Sequence, residues 1–340
     1  MDFGDILIYI TSYFGLFTAI FFFLTLFENR KKIKNPKYTR LPSVTIAVPA
    51  FNEEHTIAKT IKSLLRLDYK KKKIRIIVVD DGSLDKTYSV AKKFECENLK
   101  VYRKKNGGKG TALNFALEKT NTELFGALDA DSFVRSDALK KMIGYFENPK
   151  VMAVTPSLKV YKPKNILQKI QYIEYLMGIF LRKIFAFLGS IHVTPGPFTI
   201  YRVSFFRKYG GYDSFNPTED IEIALRIQEK KGIIENSVDA TVHTVTPASF
   251  NELLKQRVRW YSGFTQNVMD YKHLFSYDYG NLGMFILPAS FASVLLVVVS
   301  LFYTIYKIIT RTIIQNLLNW NYIDFDFWRL FDPNFDFFFL

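Results

Sequence analysis

The chain has one cysteine, Cys96, in 340 residues. No intrachain disulfide is possible, and nothing in the sequence points to an oxidising compartment. A glycine-rich loop ending in Lys-Ser/Thr is also missing, which argues against a P-loop nucleotidase. The first apolar run follows Asp2 and Asp5 rather than a basic cluster, and no small-residue cleavage site comes after it. That speaks against a removable signal peptide and predicts a retained anchor.

Basic and aromatic residues are abundant. Lys and Arg number 46 against 32 Asp and Glu, a formal charge of +14, while 49% of residues are hydrophobic and 33 are Phe. A nucleic-acid binder would explain the charge but not the Phe, so no nucleic-acid partner is expected. A membrane protein with a basic cytoplasmic side explains both. Ile6 to Phe27 is 22 residues without a charge, and Leu282 to Tyr306 is 25; a spanning helix needs about 20. Arg30, Lys31, Lys32, Lys34, Lys37 and Arg40 crowd the inner flank of the first run. Lys255, Arg257, Arg259 and Lys272 precede the second. These flanks predict a multi-pass protein of the cell membrane with a cytoplasmic middle and both termini outside. The expected division is an anchor over 1–28, a catalytic domain over 29–263, an interfacial connector over 264–281, a second span over 282–306 and an aromatic, acidic tail over 307–340.

From Val44 onward short apolar runs alternate with helical stretches. "VTIAVPA", "IRIIVVDD", "KVYRK", "LFGALDAD" and "VMAVTP" read as strands, with "EEHTIAKTIKSLLRL", "DKTYSVAKKFE" and "GTALNFALEKT" as helices between them. Strand and helix in alternation predict a mostly parallel α/β sheet, whose ligands bind beyond the carboxyl ends of the strands. The unusual polar groups gather at those ends: Pro49, Asn52 and Glu53 after the first strand, Asp80 and Asp81 after the second, Asp129 and Asp131 after the fourth. Lys109 sits in the loop "NGGKG". A lone Asp there is an ordinary turn or cap, and Asp131 could cap a helix starting near Ser132. Three acidic strand ends on one rim instead suit a divalent cation, Mg²⁺ or Mn²⁺, bridging the phosphates of a ligand.

Asn165 to Leu188 places Ile166, Ile170, Ile173, Met177, Phe180, Ile184 and Leu188 at helical spacing, interrupted by Glu174, Arg182 and Lys183. An interfacial amphipathic helix is expected, with a buried core helix as the alternative. "PGPFTIYR" (Pro195 to Arg202) reads as a rigid turn into a strand. Thr218, Glu219 and Asp220 open a helix expected over Ile221–Lys231. There the sequence leaves two readings open: a helix cap with acids in its first turn, or a base aimed into a cleft. In "KQRVRWYSGF", Gln256, Arg259 and Trp260 fall on one helix face, an amide, a guanidinium and an indole that suit a phosphorylated sugar. His243 is expected as a polar residue at a strand end.

Taken in order, these segments resemble the family 2 glycosyltransferases, in the membrane-embedded branch of cellulose, chitin and hyaluronan synthases. The matching segments are Pro49 with Asn52 and Glu53, Asp80 to Ser83, "GKGTALN" over Gly108 to Asn114, Asp129 with Asp131, Thr218 to Asp220, and Gln256 with Arg259 and Trp260. They run from about Val44 to Gly263; each is common alone, and six in order are not. The resemblance implies a GT-A fold and inverting transfer from a nucleotide-sugar, with UDP-sugars expected. It implies Glu53, Asp80, Asp81 and Lys109 around the nucleotide, and Asp129 and Asp131 on the sugar-nucleotide and its metal. Glu219 would lie beside the substrate and Asp220 would take the acceptor's proton. Gln256, Arg259 and Trp260 would hold the diphosphate and the acceptor end. After Gly263 the chain departs from the polymerising synthases, with one clear span where they have several. Export of a polymer would then need an oligomer or a channel-forming partner, and lipid-linked acceptors join saccharides as candidates. A non-catalytic nucleotide-sugar-binding subunit is the alternative, although the residues whose loss would suggest it are intact.

Overall fold

The computed structural model describes residues 3–309; the expected tail lies almost wholly outside them. Its helices are α1 Phe3–Glu28, α2 Ile57–Leu65, α3 Thr87–Lys92, α4 Lys109–Glu118, α5 Ala138–Ile143, α6 Ile166–Phe187, α7 Val203–Tyr209, α8 Glu219–Glu229, α9 Phe250–Asp270 and α10 Leu287–Ile309. Its strands are β1 Val44–Ala50, β2 Ile74–Asp80, β3 Leu99–Arg103, β4 Leu124–Ala127, β5 Ser132–Val134, β6 Val151–Val160, β7 Thr199–Arg202 and β8 Ile233–Thr244. The chain divides into two units. Residues 20–288 carry the sheet, and residues 3–19 with 289–309 carry the helical ends.

The eight strands form one sheet in the order β3-β2-β1-β4-β7-β6-β8-β5. β3, β2, β1 and β4 are parallel throughout. The other half is mixed: β7 runs antiparallel to β4 and β6, β6 and β8 are parallel, and β5 closes the edge antiparallel to β8. Side chains alternate across the sheet as a pleated strand requires. Val44, Ile46, Val48 and Ala50 enter one core with Ile57, Ile61 and Leu64 of α2. Ala47, Ile77 and Val79 enter the other, with Leu113 of α4 and Ile223 and Ile227 of α8. Each fully buried aliphatic side chain contributes about 1.5–3 kcal/mol.

Some boundaries differ from expectation for local reasons. Ser132 opens a strand rather than a helix, because Ser132, Phe133 and Val134 pair with Thr244, His243 and Val242; Asp131 therefore caps nothing. α8 begins at Glu219, two residues before the expected Ile221. It stops at Glu229, and the left-handed residue that ends it is Lys231, with φ 56°. α9 runs past Gly263 to Asp270 without a break.

α1 and the run Leu282–Lys307 are both long and apolar enough to cross a membrane, and both are almost wholly exposed. The second opens with a π-helical turn over Leu282–Ile286. The connector after α1 is fastened to the sheet unit. Asn35 donates to Asp239 Oδ2 at 2.9 Å and accepts from Tyr145 Oη and Ser237 Oγ, and Thr39 donates twice to Glu147. The Pro36 carbonyl lies so near Gly144 that a side chain there would meet it at 2.0 Å.

Candidate active site

The carboxyl ends of β1, β2 and β4 form one rim. Pro49 is buried inside β1, facing the side where β4 has already ended at Ala127, so its missing N–H breaks no ladder bond. Asn52 adopts a left-handed φ of 55° and joins the two loops: its N–H donates to Ser83 Oγ and its Oδ1 accepts from Leu84 N, each at 2.9 Å. Asn tolerates this region better than other side chains. Burial raises the pKa of Glu53, and the nearby charge of Asp129 adds to it.

The two aspartates after β2 have different surroundings. Asp80 is fully buried; Arg103 Nε stands 3.1 Å from its Oδ2, and its Oδ1 has no partner. Asp81 is committed to the loop that follows β3. It accepts from Gly108 N at 2.7 Å and Gly107 N at 3.1 Å, and pairs with Lys104 Nζ at 2.6 Å. Its carboxylate shapes the loop that presents Lys109.

Lys109 is the first residue of α4, and its ammonium bridges two motifs far apart in sequence. It stands 2.8 Å from Asp129 Oδ1 and 2.9 Å from Glu219 Oε1. Burial alone would lower its pKa, but Asp129, Glu219 and Asp220 together push it well above the ordinary value. Burial likewise works to raise Glu219, yet Lys109 outweighs it and holds that carboxyl low. Gly196 makes this approach possible, since a side chain there would lie 2.6 Å from Lys109 Nζ and 3.2 Å from Asp129. The neighbouring Phe198 is fully buried and adopts a left-handed φ of 64°. Such strain costs on the order of 1–3 kcal/mol and gathers at functional sites.

Two other carboxyls share an acidic environment. Burial, then repulsion from Asp129, raises Asp131 to about 7. Its Oδ1 accepts from Ser132 Oγ at 2.9 Å. Burial, then Glu219, raises Asp220 to about 7 as well. Asp220 Oδ1 accepts from Ile221 N at 3.0 Å, and its other oxygen is left open by the described residues.

Thr218 does not cap α8 with its hydroxyl, which is used elsewhere: it accepts from Asn267 Nδ2 at 2.9 Å. Asn267 also exchanges bonds with Asn216, and all three residues are buried. Gly263, one turn earlier on α9, lies so near Thr218 that a side chain there would meet its hydroxyl at 2.3 Å. Gln256, Trp260, Gly263 and Asn267 fall on one face of α9, so this contact sets the rotation and height at which Gln256 and Trp260 are presented. Gln256 Oε1 is sealed from solvent without a partner among the described residues. Arg259 is exposed, and its charge reaches Glu219 and Asp220. Arg257 packs over the Trp260 ring at 4.6 Å and pairs with Glu174 of α6. His243 is a strand-end residue whose ring stands edge-on to Tyr161 at 6.3 Å.

The rim thus unites Glu53, Asp129, Asp131, Lys109, Glu219, Asp220 and Arg259, while Pro49, Asn52 and Asp81 act by shaping the loops around it. The sequence reading missed Gly196, Asn216, Gly263 and Asn267. "PGPF" held a signal for the first of these, since a glycine between two prolines marks a tight passage.

An α/β sheet with acids and a lysine beyond the carboxyl ends of its strands suits a phosphate-bearing ligand. Residues 45–210 match the family described as Glycosyl transferase family 2. A poly-beta-1,6-N-acetyl-D-glucosamine synthase of Staphylococcus epidermidis is 30% identical over 318 residues, covering 90% of this chain and 74% of the relative. One from Staphylococcus aureus is 31% identical over 259 residues, covering 74% of this chain and 62% of the relative. A mannosyltransferase from Pyrobaculum calidifontis, solved with GDP-Man and Mn²⁺, shares the fold with a TM-score of 0.65 at 21% identity, over 79% of this chain and 75% of that one. The chain belongs to glycosyltransferase family 2.

Proposed function

We propose that the protein transfers N-acetylglucosamine from UDP-N-acetylglucosamine to a growing polysaccharide at the cytoplasmic face of a membrane, with inversion at the anomeric carbon. The observation that carries the reading is the Lys109 bridge, which brings the carboxylates of Asp129 and Glu219 to one ammonium beside Asp220. The relatives named above support the choice of sugar and product.

A divalent cation fits the rim. Asp129 and Asp131 offer hard oxygens, and the proton that Asp131 holds up to about pH 7 is one a cation would displace. Among the described residues no group of three or more His, Cys, Asp or Glu is placed to hold a metal ion by itself. Asp129 and Asp131 would hold the cation together with phosphate oxygens of the donor, as Mg²⁺ or Mn²⁺ accepts. When bound, the cation supplies Lewis-acid stabilisation to the leaving diphosphate.

The chain's own residues do the rest. Glu53 and the loop set by Asp81 flank the nucleotide, with Asp80 behind them. Lys109 and Arg259 counter the donor's negative charge, Gln256 orients the diphosphate, and Trp260 stacks on a sugar ring. The acceptor hydroxyl attacks the anomeric carbon as the bond to the diphosphate breaks, and its proton passes to the open oxygen of Asp220. A base with a pKa near 7 suits that task at neutral pH. α1 and the run Leu282–Lys307 serve as anchors, and α6 lies at the membrane surface.

The test is UDP release by the detergent-solubilised chain with Mn²⁺ or Mg²⁺, over a panel of UDP-sugars and GDP-mannose. Saccharide oligomers and membrane lipids would be supplied as acceptors. Release with UDP-N-acetylglucosamine and a product that lengthens with time is expected. Release with a different donor, or a single addition to lipid, would overturn the stated donor or acceptor.

A further inference from the structure

The Lys109 ammonium stands between two carboxylates, where a metal ion would also be drawn. It lies 2.8 Å from Asp129 Oδ1 and 2.9 Å from Glu219 Oε1. Asp129 Oδ1 is sealed from solvent, and among the described residues that ammonium is the one cation on it.

Three contacts build this seat. Asp81 accepts from the backbone N–H groups of Gly107 and Gly108, which pins the loop leading into Lys109. Gly110, the next residue, packs on the loop before α8, where a side chain would lie 3.1 Å from Ser214 Cα. Gly196 leaves the room at the far end, since a side chain there would meet Lys109 Nζ at 2.6 Å. The stem and the head of Lys109 are both positioned by backbone.

The consequence is electrostatic. Asp129 is also one of the two residues that would hold Mg²⁺ or Mn²⁺. A divalent ion on either oxygen of that carboxylate would face a fixed ammonium of like charge at close range, and the repulsion opposes its binding. A diphosphate brings the negative charge that lets both cations stay. An ammonium has three donors, and the two carboxylates use two of them. The third is left for phosphate, while Glu219 keeps its hold.

We propose that Lys109 keeps the divalent cation off Asp129 until the donor's diphosphate is bound, so that cation and nucleotide-sugar enter the site together. The inference rests on the reading of the rim as a metal-assisted nucleotide-sugar site. It makes the cation's affinity conditional on the nucleotide. By linkage, the nucleotide's affinity depends on the cation by the same factor.

The experiment measures Mn²⁺ binding to full chains in detergent by equilibrium dialysis, without UDP and with the same UDP on both sides. It compares wild type with Lys109→Gln, Lys109→Arg and Arg259→Gln, with melting temperatures to show that each is folded. Without UDP, Lys109→Gln should bind Mn²⁺ about tenfold more tightly than wild type, and the factor by which UDP strengthens Mn²⁺ should shrink. Lys109→Arg keeps the charge and should stay within about threefold of wild type. Arg259→Gln removes an exposed charge that forms no ion pair with Asp129 among the described residues, and it should do the same. Mn²⁺ affinity unchanged in Lys109→Gln would overturn the proposal. So would an equal gain in Arg259→Gln, which would make the effect one of net charge rather than occupancy. Wild type that binds Mn²⁺ equally with and without UDP would overturn it too, and that comparison stands even if a variant fails to fold. Wild type that takes up no Mn²⁺ in either condition would sink the reading of the rim as a metal site.

Discussion

α8 and α6 both turn polar side chains toward the same rim, but their other faces differ. On α8, Ile221, Ile223, Ala224, Leu225 and Ile227 are all buried. Over the first half of α6 the order is inverted: Gln168 and Gln171 are buried while Ile166, Ile170, Ile173 and Met177 are exposed; further along, Ile179 and Ile184 are buried beside Lys183. A helix in water hides its apolar stripe. One that shows it and hides its amides is matched to an apolar medium outside. The proposed base, Asp220, is thus carried by a helix set in a packed core, whereas the first half of α6 leaves its apolar stripe exposed.

The largest effect that would test this contrast is chemical. Asp220→Asn should lower the turnover rate by about 10²–10⁴-fold while leaving UDP-sugar affinity nearly intact. A mutant with full turnover would remove α8 as the source of the base. The wild-type rate should fall about tenfold per pH unit below about 7, since only the ionised carboxylate accepts a proton. The effect on stability has the opposite sign. The fold holds this proton up to about 7 whereas the ordinary pKa is 3.8, so the group's contribution is present below 3.8 and lost as pH rises through 7. A flat rate profile between pH 5 and 7 would exclude Asp220 as the titrating base.

Next in size are the packing substitutions. Ile223→Ala on α8 should destabilise the detergent-solubilised protein by about 2–5 kcal/mol, as core truncations do. Ile173→Ala on α6 should change stability by less than about 0.5 kcal/mol. Equal losses at both positions by chemical denaturation would mean that α6 is an ordinary core helix covered by something else. A loss smaller than at Ile223 is expected at the joint between α8 and α9. Asn267→Ala leaves the buried groups of Asn216 and Thr218 short of partners, at about 1–3 kcal/mol. It should also lower turnover, because α9 would lose the contact that sets its rotation. Stability lost with turnover unchanged would break the link between that joint and the chemistry.

The parallel half of the sheet was legible because β1, β2 and β4 are mostly apolar runs that lead into Pro49, Asp80 and Asp129. β1 matched its predicted bounds, and the acidic strand ends did gather on one rim. β5 was not legible: three residues carry no periodicity, and their pairing with β8 joins positions 110 residues apart in the chain. Asp81 looked like a ligand by its motif, and only the folded loop shows its oxygens taken by Gly107 and Gly108. Asn267 gives no signal along the chain, because its worth lies in two partners on another element.

The fastening of residues 35–39 bears on how the enzyme can move. A hinge needs backbone that is free to rotate. Here Asn35 and Thr39 have their side chains committed to the sheet unit, and the Pro36 carbonyl is wedged against Gly144. Residues 35–39 therefore belong to the sheet unit in any movement, and a hinge between α1 and the sheet would have to lie in the backbone of residues 29–34.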